Sequence, residues 1–354
     1  MDIVALMGVA FEKGASDLHL SVGRRPVLRL GGRLVEVGEQ VLTAADTESM
    51  AKVLAPERNW RELEEVGSSD FGYAFGDKCR FRVSLLTQKG ARGIVMRQIP
   101  QRLLSFEQIG LPDSVVDLLH LHRGLVLVTG PTGSGKTTTL ATMIDWINQN
   151  RDVHVITIED PVEYYHSHKK SQITQREVGN DVPSFAEAMR RALRQDPDVI
   201  LLGEMRDLET TSAAISAAET GHLVFGTLHT TGAARTVDRI IDQYPREQQE
   251  QIRSQLAVSL VAVISQILIP GASGGRVAAF EIMLSNAAIE NHIRKCETFK
   301  IPSVIQTSRR QGMALMDDSL LELYRSGRIA KETALEHAFD RKALTLRLGG
   351  GGAE

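Results

Sequence analysis

The stretch Gly130-Pro-Thr-Gly-Ser-Gly-Lys136-Thr137 constrains the fold of this chain more than any other. It fits the pattern G-x-x-x-x-G-K-S/T. In that pattern glycines turn the backbone tightly and aim its N–H groups at phosphate oxygens. The lysine reaches the β/γ-phosphates and the hydroxyl serves Mg²⁺. Such a loop works between a buried strand and a helix N-terminus, whose dipole favours anions. Both flanks are present. Leu125-Val-Leu-Val-Thr129 is a short apolar run that predicts a buried strand, and Thr138 to Asn150 predicts a helix. Gly130, Thr132, Gly133, Ser134, Gly135, Lys136, Thr137 and Thr138 are therefore candidate nucleotide-binding residues, with Thr137 a candidate Mg²⁺ ligand.

From Gly124 onward the pattern alternates strand and helix. Strands are predicted at Leu125–Thr129, His154–Ile158, Val199–Leu202 and Leu223–Thr227. Helices are predicted at Thr138–Asn150, Ser184–Arg194, Asp207–Glu219 and Ala233–Ile241. This is the pattern of a doubly wound α/β domain, with a mostly parallel sheet and its site at the C-terminal strand ends. Arg246 to about Gln266 reads as one long helix, followed by a Gly274-Gly275 hairpin and a strand ending at Leu284. The remainder reads as helical to about residue 345, with a disordered tail over 346–354.

The first 100 residues read differently, as an α+β module without a phosphate loop. A helix to Lys13 stops at Gly14, and Ser16–Val22 alternates as a strand. Gly31-Gly32 joins a hairpin, and Thr43 with Asp46 forms a capping-box signature. Three more strands are predicted at Ser69–Phe75, Cys79–Gln88 and Arg92–Gln98. The expected organisation is residues 1–100, a linker over 101–122, an α/β core over 123–285 and a helical region over 286–345.

Composition excludes several classes. A net charge of −3 over 354 residues gives no global attraction to nucleic acid or acidic membrane. Cys79 and Cys296 form no C-x-x-C pair, which argues against a zinc site or a disulfide framework. They are expected to be unpaired, mostly buried thiols in a reducing cytosol. The stretch Leu256–Pro270 contains Ser259, Ser265 and Gln266 and is too short to span a bilayer. The start of the chain lacks a signal-peptide pattern, so a soluble protein is expected.

Hydrolysis needs a carboxylate to orient or deprotonate water and positive charge for the γ-phosphate. The predicted strand ends offer three groups. Ile156-Thr-Ile-Glu159-Asp160-Pro-Val-Glu163 ends a strand with three carboxylates. Asp198-Val-Ile-Leu-Leu-Gly-Glu204 resembles a Walker B run with Gly203 where the metal-binding Asp usually stands. Metal contact through Glu204 is then indirect, through water, or shared with the Glu159–Glu163 group. Glu219-Thr-Gly-His222 and Leu228-His229-Thr bracket a further strand with two histidines.

Together these residues resemble the secretion-ATPase superfamily, and most closely the PilT-type retraction ATPases of type IV pili. The matching blocks are Gly130–Thr139, Ile158–Glu163, Thr174-Gln-Arg-Glu-Val-Gly179, Leu193–Ile200, Gly203-Glu-Met-Arg-Asp-Leu-Glu-Thr210 and Glu219–Thr230. Gly14-Ala-Ser-Asp-Leu-His-Leu20 and Cys79-Arg-Phe-Arg-Val83 look like the family's N-terminal domain. The resemblance implies a RecA-like P-loop domain preceded by a PAS-like α+β domain, assembled as a hexameric ring. It implies ATP and Mg²⁺, an inner-membrane pilus platform protein as partner, and a place in the cytoplasm at that membrane. By position it implies an Asp box at Glu159, Asp160 and Glu163, a Walker B glutamate at Glu204 and a His box at His222 and His229. It also implies γ-phosphate contacts from Arg82 and Arg97, with Arg123 weaker.

The short, cysteine-free Ile269–Gly275 segment favours retraction over pilus assembly or type II secretion. The family's C-terminal Ala-Ile-Arg-Asn-Leu-Ile-Arg-Glu motif appears here altered, as Ala288-Ile-Glu290-Asn-His292-Ile-Arg-Lys295. Ala343–Leu348 resembles the PilU-type accessory paralogues, so such a paralogue, which is also a possible partner, is a second reading. A nucleic-acid motor shares the core but is opposed by the net charge and the lack of a basic–aromatic cluster. A non-catalytic ring subunit is opposed by the retained Glu163, Glu204 and His229.

Overall fold

The computed structural model describes residues 2–76, 78–99 and 103–349. The chain divides into two compact units, one of Met1–Arg102 with Pro161–Tyr165 and the other of Leu103–Asp160 with His166–Glu354.

The first unit is an antiparallel sheet of β1 (Asp17–Leu20), β2 (Val27–Leu30), β3 (Arg33–Glu36), β4 (Ser68–Phe75), β5 (Cys79–Gln88) and β6 (Ala91–Ile99), in the order β3-β2-β1-β6-β5-β4. Side chains alternate across a strand. Leu18, Phe81, Val83 and Met96 therefore share a core with Met7, Met50 and Leu63 from the helices Ile3–Glu12, Ala44–Leu54 and Glu57–Val66. The intervening positions form the opposite face, where Arg82, Arg97, Asp17 and Arg29 follow one another in register across β5, β6, β1 and β2. The expected capping box forms, with Thr43 and Asp46 exchanging hydrogen bonds.

The second unit is built on a seven-stranded sheet. Its strands are β7 (Gly124–Thr129), β8 (His154–Glu159), β9 (Gln172–Glu177), β10 (Val199–Leu202), β11 (Leu223–Leu228), β12 (Leu260–Pro270) and β13 (Arg276–Leu284). The order is β13-β12-β7-β11-β10-β8-β9. All neighbours are parallel except β12 and β13. Alternate residues of the central strands feed two separate cores. Leu125, Leu127, Ile156 and Ile158 enter one, and Val126, Val128, Val155 and Val199 the other. A sheet covered on both faces needs apolar residues at consecutive positions, which is why its strands read as uninterrupted runs.

Several expectations are corrected. The helix from Arg246 is short: Gln249–Ser259 is helical, and Leu260–Pro270 is strand β12 beside β7. Periodicity does not separate a buried strand from a buried helix in such a run. Its Val and Ile content suits the sheet, and pairing with β7 supplies the backbone partners. Strand β9 was not expected, because Gln172-Ile-Thr-Gln-Arg-Glu177 is a polar edge sequence. Much of the expected linker is core: Ile109, Leu111, Val115 and Leu118 are buried in the second unit. The helix Arg341–Gly349 carries the C-terminal region past residue 345, into the expected tail. Residues 350–354 of that tail lie outside the described residues. Of the two thiols only Cys79 is buried, and Cys296 is exposed. Among the described residues no helix is long and apolar enough to cross a membrane.

Candidate active site

The loop joins β7 to the helix Lys136–Asn150 at the C-terminal edge of the parallel sheet. Gly130, Gly133 and Gly135 have φ of +141°, +79° and +92°, a region that side chains disfavour. At Gly130 space is also missing, since an added Cβ would lie 2.1 Å from the Gln266 carbonyl oxygen. No side chain caps the helix at Gly135, so the N–H groups of its start, at Lys136 and Thr137, face the place of a ligand. Lys136 Nζ donates to the carbonyl oxygens of Gly130 (2.8 Å) and Pro131 (3.1 Å). Burial lowers the Lys136 pKa, and the negative charge of Glu204 works against that lowering. Thr132 and Gly133 are exposed, and Thr137 and Thr138 are half-buried.

Two hydroxyls at the loop are orphans. Thr129 Oγ1 and Ser134 Oγ are buried without a hydrogen-bond partner. A buried unsatisfied polar group costs about 1–3 kcal/mol. Phosphate oxygens seated on this helix N-terminus would supply acceptors at that place, so the residues fit a nucleotide phosphate.

Beside the loop stands Glu204, just past the end of β10. Gly203 N donates to Ile158 O and Met205 N to Thr227 O, which carries the β10 backbone between β8 and β11 past Leu202. Gly203 is confined, since a Cβ there would lie 3.2 Å from Ile158 O. A side chain in its place would need the neighbouring backbone of Ile158 and Glu159 to give by a few tenths of an ångström. Glu204 Oε1 accepts from His229 Nε2 at 2.8 Å, and Oε2 pairs with Arg206 Nη2 at 2.7 Å. Burial favours the neutral acid. The Arg206 hydrogen bond and the charges of Arg206 and His229 outweigh it and hold the carboxyl below its ordinary value. Arg206 is correspondingly raised, chiefly by its hydrogen bond to Glu204, with Asp160 contributing. Lys136, Glu204, Arg206 and His229 thus form one polar cluster at the C-terminal ends of β7, β10 and β11.

The Asp-box residues have separate surroundings. Glu159 ends β8, buried, and accepts from Thr157 Oγ1 (2.7 Å) and Gln175 Nε2 (3.3 Å), while Asp160 is exposed. Glu163 belongs to the first unit, where it lies 4.0 Å from Arg82 Nη1. Arg97, also there, donates from Nε to Asp17 Oδ1 at 3.0 Å and leaves its side chain 72% exposed. His222 does not join the loop of its own chain. It precedes β11, its Nδ1 donates to Ala217 O, and the six residues of β11 separate it from His229. At 3.3 Å per residue that is roughly 20 Å. Arg123 likewise precedes β7, at the far end of that strand from the loop. Among the described residues no group of three or more His, Cys, Asp or Glu forms a metal cluster.

Sequence reading missed Gln266, because it placed this residue in a helix. On β12 it is 2% exposed, and its Oε1 accepts from buried Thr139 Oγ1 at 2.8 Å. Its Nε2 would lie 2.9 Å from a Cβ at Gly135, so the side chain backs the phosphate loop. Gln266→Ala strands the Thr139 hydroxyl at a cost of about 1–3 kcal/mol. The expected result is a Tm lowered by at least about 2 °C in a thermal melt and nucleotide binding weakened several-fold in a titration. An unchanged melt would mean that Gln266 contributes nothing to the loop.

The family described as "Type II/IV secretion system protein" matches residues 2–336. The Pseudomonas aeruginosa protein named "Type IV pilus retractation ATPase PilT" is 46% identical over 338 residues, covering 96% of this chain and 98% of that protein. The type IV pilus ATPase PilU of the same organism is 37% identical, covering 98% of this chain and 91% of its own length. The crystal structure of the pilus retraction motor PilT with bound ADP superposes with a TM-score of 0.92 at 45% identity, covering 98% of this chain and 99% of that one.

Proposed function

The chain belongs to the Type II/IV secretion system protein family, and on that premise we propose that it is an ATP-hydrolysing motor that retracts a type IV pilus. It works as a homo-hexamer in the cytoplasm, against a platform protein of the inner membrane. The observation that carries the reading is the ionised Glu204 held between Arg206 and His229 beside the Lys136 loop. Lys136 and the loop N–H groups bind the phosphates. Thr137 and, through water, Glu204 would hold Mg²⁺, which stabilises phosphate charge as a Lewis acid. Glu204 takes the proton of the attacking water, with Glu163 the second candidate. His229 and the first-unit arginines Arg82 and Arg97 meet the charge that develops on the γ-phosphate. Glu159 and Asp160 complete the acidic strand end. The first unit is read as PAS-like.

A second reading, an accessory paralogue of the PilU type, rests on the resemblance of Ala343–Leu348 together with the altered Ala288–Lys295 segment. Its altered residues are taken up locally: Glu290 pairs with Arg294, and His292 Nδ1 meets Glu297 Oε2 at 3.1 Å. Deleting the protein from its host and scoring surface pili and twitching tests the proposal. Retraction predicts more pili and lost motility. Fewer pili would transfer the protein to assembly, and unchanged pili with intact motility would remove it from retraction.

A further inference from the structure

The side chain of Gln175, on the edge strand β9, has partners at two separate points of the chain. Its Nε2 donates to Glu159 Oε1 at 3.3 Å, and its Oε1 accepts from His166 N at 2.7 Å. These are the points where the chain leaves the second unit and returns to it, since Pro161–Tyr165 belong to the first. In the parallel pairing of β8 with β9, Gln175 stands opposite Thr157 and Glu177 opposite Glu159. Gln175 and Glu159 therefore share one face of the sheet, at diagonal positions. The two contacts call for a donor and an acceptor on one side chain, which a glutamine amide supplies. With the amide turned over, its NH₂ would face the His166 N–H and its oxygen the Glu159 carboxylate.

Each of the two points is itself well anchored in the second unit. The outgoing one is built into the sheet. Glu159 is buried, its side chain also accepts from Thr157 Oγ1 at 2.7 Å, and its carbonyl accepts from Val178 N at 2.8 Å. The returning one is built on the helix that starts at the phosphate loop. Asn148 of that helix is fully buried. Its Nδ2 donates to Ser167 O at 2.7 Å, its Oδ1 accepts from Lys169 N at 3.0 Å, and its carbonyl accepts from Lys170 N at 2.8 Å. Gln175 joins the two anchorages directly. Between them, within the first unit, Glu163 lies 4.0 Å from Arg82, and the Arg80 guanidinium stands over the Tyr165 ring, 4.2 Å from its centroid.

A segment held at two independent points can splay at its base, and the displacement is carried to the side chains it bears. A bridge across the base removes that freedom. The bond to Glu159 is charge-assisted and the bond to His166 fixes backbone, so both ends of the bridge resist separation. We propose that Gln175 is a positioning residue: by bridging Glu159 and His166 it closes the base of the segment 160–165, and so sets Glu163 and its partner Arg82 for the phosphate chemistry. Its part is indirect, through the segment that it closes. This rests on the reading of Glu163 and Arg82 given above.

ATPase kinetics and hydrogen exchange on the intact assembled protein test it, with Gln175→Ala and with Gln175→Met, which keeps the bulk of the side chain. Either is expected to speed exchange without nucleotide in a peptide covering 160–167, where the His166 N–H loses its acceptor. The kcat for ATP falls about 10-fold while KM stays within about twofold, because a misplaced group costs rate rather than nucleotide binding. In a protein that already carries Glu163→Gln and Arg82→Ala, the pair to be placed is gone, and adding Gln175→Ala lowers kcat by no more than about twofold further. A kcat within twofold of the unmodified protein in the single variants overturns the proposal. So does a further tenfold fall in the doubly substituted protein, which would make Gln175 a support of the second unit alone and leave the reading of Glu163 and Arg82 standing. Full kcat in the doubly substituted protein overturns that reading, and the proposal with it, before Gln175 is changed. If one of the two Gln175 substitutions fails to fold, the other decides.

Discussion

Glu204→Gln is expected to lower kcat for ATP hydrolysis by roughly 10²–10⁴-fold, the range of a positioned general base, while leaving nucleotide affinity within a few-fold. The amide keeps the size of the side chain and one oxygen for His229 or Arg206, but it cannot take a proton from water. The expectation follows from the two contacts of Glu204, at 2.8 Å to His229 and 2.7 Å to Arg206, which aim the carboxylate and keep it charged. Phosphate release under multiple turnover, with a parallel nucleotide titration, checks it. A kcat within tenfold of the unmodified protein would move the base role to Glu163.

Lys136→Ala is expected to abolish nucleotide binding at working concentrations, weakening it by about 100-fold or more. Charge-assisted hydrogen bonds contribute roughly 1.5–3 kcal/mol each, and the lysine makes more than one with a polyphosphate. The fold itself should be indifferent. Lys136 is half-buried and donates to two carbonyls of its own loop, Gly130 and Pro131. The two effects separate in one experiment. The ligand-free Tm stays within about 1 °C, while the stabilisation by ATP, about 2.7 kcal/mol at a hundredfold excess over Kd, disappears. A retained shift in Tm with ATP would mean that phosphate is held elsewhere.

Much of the second unit was legible because its grammar is local. The run Leu125–Thr129, the glycines of the loop and the helix after Lys136 define one another within a few residues, and the structure has all three where expected. The Thr43–Asp46 cap and the helix Ala233–Ile241 are equally local. Strand β12 was not legible, because a continuous apolar run satisfies both a buried helix and a buried strand, and the decision belongs to β7, more than a hundred residues earlier. Strand β9 failed for the opposite reason, as a polar edge sequence whose strand character comes only from pairing with β8.

The site divides along the same line. Lys136, Glu204 and His229 were visible because parallel strands deliver their C-terminal ends to one edge. His222 and His229 were expected to bracket a strand and were grouped as a His box by the resemblance, and they stand at opposite ends of β11. Glu163 was grouped with Glu159 in the same way, and the chain turn at Pro161 assigns it to the first unit, beside Arg82.

By itself the sequence determined that a phosphate loop sits between a buried strand and a helix, and that carboxylates and a histidine follow at later strand ends. Those are properties of short segments, set by glycine φ, apolar burial and strand alternation. Only the tertiary structure decided that Gln266 supports the loop and that Arg206 and His229 hold Glu204. Each of these joins residues from different strands and helices, and the physical reason is that a buried polar group takes its partner from whatever the packed sheet brings within hydrogen-bond reach.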